Sequence, residues 1–317
     1  MKVSLAMTTF NGERYLINQL DTIRCQSRSP DEVIICDDGS TDKTIEIIEN
    51  YIKKYELDTW SFHKNPKNLG FSQNFKQAIS MTTGDVVFLC DQDDEWSTDK
   101  IEKMLTVYHD HKNIAALMCN LIYIDQNSEE FVPEKLPGWY QRMQSYRPGS
   151  LNTVDFISLC MTNFAPGCVM SFTRDVAQRY LTSDYTYGIP HDWLLSLEAA
   201  KENGLYYYNE PLIRYRLHGN NAIGNSSATK SSNAAEQIER LERLKVRHQM
   251  ALQTSYPDQE ALRNNIDYID NRISFYKKRS FSGLRKVWQS SKKTKRLYHN
   301  IKKTNIKDFL YYLHLMF

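Results

Sequence analysis

Two successive apolar runs of strand length near the start of the chain each end in a polar cluster and give way to apolar positions at helical spacing. Val3 to Thr8 closes on Thr8-Thr9-Phe10-Asn11-Gly12 and is followed by Tyr15, Leu16, Leu20 and Ile23. Glu32 to Asp37 closes on Asp37-Asp38-Gly39-Ser40-Thr41-Asp42, where Gly39 permits a tight turn and Ser40 or Thr41 can cap a helix carrying Ile45, Ile48 and Ile52. A shorter strand, Thr59 to His63, passes through Asn65-Pro66-Lys67-Asn68-Leu69-Gly70 into a helix over 71–81, and a fourth strand covers Asp85 to Leu89. Strands alternating with helical crossovers predict a mostly parallel sheet in an α/β fold. Parallel strands point their carboxyl ends one way, so the polar clusters should share one sheet edge, where such sheets bind ligands.

The fourth strand ends in the most acidic stretch of the chain. Four of the five residues from Asp91 to Glu95 are carboxylates. Acids this close raise one another's pKa unless a cation neutralises them. A hard divalent ion such as Mg²⁺ or Mn²⁺ takes oxygen ligands and leaves room for substrate phosphates. The same residues also suit a solvated turn, with acids favoured at the start of a helix beginning near Ser97.

At 317 residues with a 41% hydrophobic fraction, the chain can bury the core of one large domain plus an appendage. A net charge of +2 argues against a nucleic-acid partner for the whole domain, although the basic residues concentrate towards the carboxyl terminus. The six cysteines lack metal-type spacing, and several lie in apolar runs where a thiol acts as a small hydrophobe. That pattern predicts reduced thiols and a cytoplasmic location. The amino terminus holds no signal-peptide core, and no apolar run approaches the ~18 residues of a membrane span, so membrane contact would be peripheral.

Beyond Ile114 the pattern loosens. A strand at Ala115 to Met118 precedes a polar, proline-containing stretch from Asp125 to Ser150. Strand-like Gly167 to Phe172, helices over 175–181 and 191–200, and strands near Leu205 to Tyr208 and Leu212 to Arg216 follow. A polar linker, Gly219 to Ser232, separates this domain (1–220, divided near 96) from a helical extension over 233–317. From Arg272 onward that extension mixes cations with Phe275, Tyr276, Phe281, Trp288, Tyr298, Phe309, Tyr311, Tyr312 and Phe317. Basic helices with aromatic faces suit an anionic bilayer surface, and they also suit a solvated tail packed on the main domain.

The ordered set Thr8-Thr9-Phe10-Asn11, Asp37-Asp38-Gly39-Ser40-Thr41-Asp42, Asn68-Leu69-Gly70 and Asp91-Gln92-Asp93-Asp94 resembles the nucleotide-sugar-binding half of family 2 inverting glycosyltransferases. The resemblance spans roughly residues 1 to 220. It implies the GT-A fold, with a nucleotide-sugar half over 1–96, an acceptor half over 97–220 and a metal-bridged nucleoside diphosphate. Carried over by position, Asp38 contacts the base or ribose, with Asp37 beside it and Thr8 and Asn11 lining the nucleotide. Asp91 and Asp93 form the acid-any-acid pair, with Asp93 as metal ligand and Asp94 its competitor. The family places a carboxylate at the start of an acceptor-side helix, often as Glu-Asp. Here His191-Asp192-Trp193 makes Asp192 the implied base, with His191 and Trp193 on the acceptor side and a His in the usual Glu position. The resemblance further implies Gly167 in the acceptor loop, His218 at the metal and Arg216 at the diphosphate.

Three segments, Asp-Gln-Asp-Asp before Trp96, His-Asp-Trp, and Tyr215-Arg216-Leu217-His218, look most like bacterial rhamnosyltransferases of cell-surface polysaccharide synthesis. That likeness implies dTDP-β-L-rhamnose as donor and a lipid-linked glycan as acceptor, with a UDP-hexose donor as the alternative. A nucleotidyltransferase would require a glycine-rich phosphate loop with a basic residue, which Thr8 to Arg14 does not supply. A degenerate nucleotide-sugar-binding protein would not be expected to keep Asp38, Asp91, Asp93 and Asp192 together.

Overall fold

The computed structural model describes residues 1–134, 136, 138–161, 163–183, 189–218, 233–253, 258–294 and 301–313. The linker at 219–232 and the aromatic residues Tyr298 and Phe317 lie outside them. The elements of the first half are β1 (Val3–Thr9), α1 (Leu16–Arg24), β2 (Glu32–Asp37), α2 (Thr44–Lys54), β3 (Trp60–Lys64), α3 (Phe71–Met81), β4 (Val86–Cys90), β5 (Glu95–Trp96) and α4 (Lys100–Asp110). There follow β6 (Ala116–Ile124), α5 (Gly138–Gln144), β7 (Leu151–Thr153), α6 (Phe156–Met161), β8 (Met170–Thr173), α7 (Arg174–Thr182), α8 (His191–Ala200) and β9 (Leu205–Arg216). The last helices are α9 (Ala234–Leu252), α10 (Gln259–Lys278), α11 (Phe281–Ser291) and α12 (Ile301–Tyr312).

Every residue of β1 and β4 is buried, which is why both read as continuous apolar runs and belong at the centre of a parallel sheet. The strand order is β3-β2-β1-β4-β8-β6-β9-β5, with β7 also on β9. β1 pairs in parallel with β2, placing Thr9 opposite Asp37, and with β4, placing Met7 opposite Cys90. Chain order reverses between β1 and β4. The tips of these strands therefore flank a crevice of the kind that holds nucleotides in open α/β sheets.

The second half departs from the parallel pattern. β8 runs antiparallel to both β4 and β6, and β5 and β7 run antiparallel to β9. The two strands expected at 205–208 and 212–216 are one, because a bulge opposite Asn120 absorbs the intervening residues and seats Pro211, which has no N–H to donate. β6 likewise runs past Met118 to Ile124. Its polar Asn120 stays inside the strand because its amide donates to Asn209 Oδ1 at 2.8 Å. The stretch read as an irregular loop contains α5, and β7 follows it directly.

The chain divides into two compact units, one of Met1–Val154, Phe164–Asp184 and Pro190–Gly224, the other of Asp155–Asn163, Tyr185–Ile189 and Asn225–Phe317. Helix α6, expected in the acceptor half, belongs to the second unit. That unit has its own core, in which Leu241 and Leu244 of α9 pack with Tyr268, Ile269 and Phe275 of α10 and with Leu284 and Val287 of α11. A buried Arg272–Asp308 pair, bridged by two 2.8 Å hydrogen bonds, ties α10 to α12, and Tyr276 donates to the same carboxylate at 2.7 Å. Phe275, Tyr276 and Tyr311 are thus core residues, unavailable to any bilayer.

Candidate active site

The two carboxylates at the tip of β2 shape the loops around them. Asp37 is fully buried and accepts from Thr9 Oγ1 at 2.8 Å, Ser40 N at 2.8 Å, Ser40 Oγ at 2.5 Å and Gly39 N at 3.1 Å. It was expected beside the nucleotide. Its oxygens are instead committed to closing the β2 turn against β1. Asp38, also buried, accepts from Asn65 Nδ2 at 3.0 Å, Leu69 N at 2.7 Å and Gly70 N at 2.8 Å, fastening the Asn68-Leu69-Gly70 loop over the tip of β2. Asn11 stands exposed at φ 47°, in the left-handed region that Asn tolerates. Its N–H donates to Ser40 Oγ, and its side-chain oxygen accepts from Thr41 N, each at 2.8 Å. Thr8 lies almost buried on β1. These contacts make a rigid double turn at the carboxyl ends of β1 and β2.

Gln92 joins this turn to the acidic run. Its amide oxygen accepts from Phe10 N at 2.8 Å, and its amide nitrogen donates to Phe10 O at 3.0 Å. A Cβ on Gly12 would lie 2.2 Å from Gln92 Oε1, so a side chain there would break the clamp.

The acids divide by environment. Asp93 is partly exposed, and its Oδ2 lies 2.8 Å from His218 Nε2. Asp94 is buried. Its Oδ1 accepts from Arg216 N at 3.0 Å, and the Cys168 thiol beside it is the carboxylate's other hydrogen-bond partner. Ligand atoms of Asp91, Asp94 and Cys168 lie within 4.8 Å of one another. Burial, then the charge of Asp93, pushes the Asp94 carboxyl up to about 7. Burial, then Asp94, Asp93 and Asp192, raise Asp91 well above the ordinary range. Burial and the two acids also hold Cys168 as a thiol, a poor ligand for a hard ion. Two donor sets suit Mg²⁺ or Mn²⁺: the clustered carboxylates of Asp91 and Asp94, and the Asp93 carboxylate with the His218 imidazole.

Two buried cations support the run. Lys100, fully buried, donates to Cys168 O at 2.9 Å and stands 3.5 Å from the Trp96 ring centroid. Burial lowers its pKa. Nothing in the sequence marks this lysine, which reads as an ordinary first-turn residue. Arg216 was expected at the diphosphate. It is 1% exposed, and its guanidinium donates to Asp93 O at 2.8 Å, Asp125 O at 2.8 Å and Glu95 Oε1 at 2.6 Å. It holds the backbone of the acidic run in place. Arg216→Met should lower unfolding free energy by about 3 kcal/mol, because it leaves the Asp93 and Asp125 carbonyls without their donor and Glu95 with Arg214 as its remaining cation. Urea denaturation would measure this, and a change below about 1 kcal/mol would remove the structural role.

Across the crevice, α8 begins with His191, Asp192 and Trp193. Asp192 is nearly buried and accepts from Trp193 N at 2.7 Å. His191 stacks on Phe75 with centroids 4.1 Å apart and 21° between planes, and burial pushes its pKa down to about 3, so it is neutral. Neither ring nitrogen has a hydrogen-bond partner among the described residues. A Cβ on Gly167 would fall 3.1 Å from His191 Nε2 and 3.3 Å from Asp192 Cβ. The short 3-10 turn at Gly167–Val169 thus touches α8 through Gly167 and the acidic run through Cys168.

Residues 4–167 match the family model described as glycosyl transferase family 2, more than half of the chain. The chain belongs to this family. The glycosyltransferase is 25% identical over 299 residues to an uncharacterized glycosyltransferase of Nostoc sp., covering 92% of this chain and 88% of that one. Its fold is similar to that of S. aureus TarS 1–349, solved also with UDP-GlcNAc, at 15% identity and TM-score 0.64, covering 99% of this chain; the two structures span 90% and 91% of TarS 1–349. It is similar too to the mannosyltransferase PcManGT from Pyrobaculum calidifontis, solved with GDP-Man and Mn²⁺, at 16% identity and TM-score 0.53, covering 92% of this chain and 73% of that one. The fold of the glycosyltransferase is GT-A, a mostly parallel central sheet followed by carboxyl-terminal helices. Among the described residues no helix is long and apolar enough to cross a membrane, and all six cysteines are free.

Proposed function

We propose that this glycosyltransferase transfers a sugar from a nucleotide sugar to an acceptor hydroxyl by a single inverting displacement, with Asp192 as general base. The observation that carries this reading is the Gly167–Val169 turn, whose first two residues adjoin Asp192 on one side and the acidic run on the other. In this reading the base and the site of the departing diphosphate flank that turn. Asp192 takes the proton of the acceptor hydroxyl as that oxygen bonds to the anomeric carbon. The bond from that carbon to the diphosphate breaks, and the nucleoside diphosphate leaves. Asp93, Asp91 and His218 would hold Mg²⁺ or Mn²⁺, which when bound offsets the negative charge growing on the leaving group. The double turn of Thr8, Asn11 and Asp38 borders the nucleotide. Neutral His191, whose ring nitrogens have no partner among the described residues, and Trp193 meet the acceptor with Gly167.

The donor in this reading is dTDP-β-L-rhamnose and the acceptor a lipid-linked glycan of cell-surface polysaccharide synthesis at the inner face of the plasma membrane. Support for the donor comes from the likeness of the segments at Asp91–Trp96, His191–Trp193 and Tyr215–His218 to rhamnosyltransferases. TarS and PcManGT were solved with UDP-GlcNAc and GDP-Man, so these nucleotides belong in the same assay. Purified protein is incubated with Mn²⁺ and each of dTDP-rhamnose, UDP-GlcNAc, GDP-mannose, UDP-glucose and UDP-galactose, and release of nucleoside diphosphate is measured. Turnover should be at least about tenfold faster with dTDP-rhamnose. Faster release from any other donor overturns the rhamnose reading, and a product that retains the donor's anomeric configuration overturns the single displacement.

A further inference from the structure

Helices α11 and α12 each bury one face in the helical unit and leave apolar side chains on the other. On α11, Leu284 and Val287 are fully buried, while Phe281 is 61% and Trp288 40% exposed. Helical spacing puts Phe281, Arg285, Trp288 and Lys292 on one outward stripe in which aromatic and cation alternate. On α12, Asp308 and Tyr311 point inward, and the opposite face carries Ile306 at 58% exposure with Phe309 and Leu313. The Trp288 and Phe309 rings lie 5.9 Å apart, so the two stripes form one patch. A solvated tail has no reason to place five large apolar side chains in water on adjoining faces.

The charge around the patch is of one sign. Arg285, Lys286, Lys292, Lys293 and Lys307 are exposed. The segments 281–294 and 301–313 contain a single acid, Asp308, which is fully buried against Arg272. A second copy of the chain would bring like charge against like. An apolar centre ringed by cations instead complements a surface with acyl chains below and anionic headgroups above. We infer that the outward face of α11 and α12 docks on an anionic lipid surface, with Phe281, Trp288, Ile306, Phe309 and Leu313 entering the headgroup boundary. Phe275, Tyr276 and Tyr311, which sequence alone groups with them, take no part. This inference is independent of the transfer reaction, and its test uses no donor.

Full-length protein is floated with vesicles of phosphatidylcholine alone and of phosphatidylcholine doped with phosphatidylglycerol. Binding should appear on the anionic vesicles only and weaken as salt rises. Replacing Arg285, Lys292 and Lys293 with Gln should reduce it by more than about tenfold, since each cation near the surface contributes about fivefold. The triple change Phe281→Ser, Trp288→Ser and Phe309→Ser should abolish it. These side chains are exposed, so circular dichroism and the thermal midpoint should stay at wild-type values. Equal binding to both vesicle types, undiminished binding of either variant, or no flotation overturns the proposal. So does a concentration-dependent dimer that the serine variant loses, or an oligonucleotide that binds more tightly than the anionic vesicles.

Discussion

Asp192→Asn should lower kcat by about a hundred- to ten-thousandfold while leaving donor affinity within about twofold of wild type. The contrast is informative because of what the carboxylate does structurally. Asp192 Oδ1 accepts from Trp193 N at 2.7 Å, at the start of α8. An Asn oxygen accepts the same bond, so the helix start survives and only the ability to take a proton is lost. Ala would remove both functions and could not separate them. Asp192 also takes no part in the double turn at β1 and β2, which other residues build. Calorimetric titration with donor and Mn²⁺ reads binding, and a single-turnover assay reads transfer. If Asp192→Asn keeps transfer within a few fold of wild type, Asp192 is a helix-capping residue and the base lies elsewhere. If donor binding falls with transfer, the carboxylate serves the nucleotide side.

The sequence made the positions of the acids legible more clearly than their duties. β2 and α3 emerge with the bounds expected from periodicity, because one buries a nearly unbroken apolar run and the other one regular face, and α8 does so although it is buried almost all round. Strand direction is not encoded in periodicity, so antiparallel β8 could not be told from its parallel neighbours. Asp37 and Arg216 show a further limit. Both were found as functional candidates, yet nearby amides, carbonyls and Glu95 already satisfy them, and whether a charge is satisfied locally is a property of the folded loop. Lys100 is the converse. Its burial depends on the Trp96 ring and the Cys168 carbonyl, neither of which a lysine at a helix start announces. The Asp93–His218 pair spans 125 residues. It forms because the short strand β5, absent from the sequence reading, pairs Glu95 with Arg214 and brings the end of β9 beside the acidic run.

On the proposed assignment of the metal to Asp93, the two adjacent acids should respond differently. Asp93→Asn should weaken Mn²⁺-dependent donor binding by about a hundredfold or more, since even outer partners of metal ligands are worth ten- to a hundredfold. Asp94→Asn should weaken it far less, because Asp94 is buried and its Oδ1 is already taken by Arg216 N. Stability against pH gives an independent reading. Without metal, burial and the charge of Asp93 hold Asp94 protonated up to about 7, whereas the unfolded chain releases that proton near 3.8. The native state therefore binds more protons across this window, and metal-free protein loses stability as pH rises through it. Asp94→Asn should lessen that slope by removing one of the two raised carboxyls, Asp91 being the other, and Asp93→Asn should lessen it by removing the charge that raises both. Added Mn²⁺ should raise the thermal midpoint at neutral pH in wild type, since an ion bound only by the folded state stabilises it, and the rise should vanish in Asp93→Asn. Wild-type ion dependence in Asp93→Asn, combined with its loss in Asp94→Asn, would transfer the metal to the buried acid and leave the Asp93–His218 contact as an ordinary ion pair.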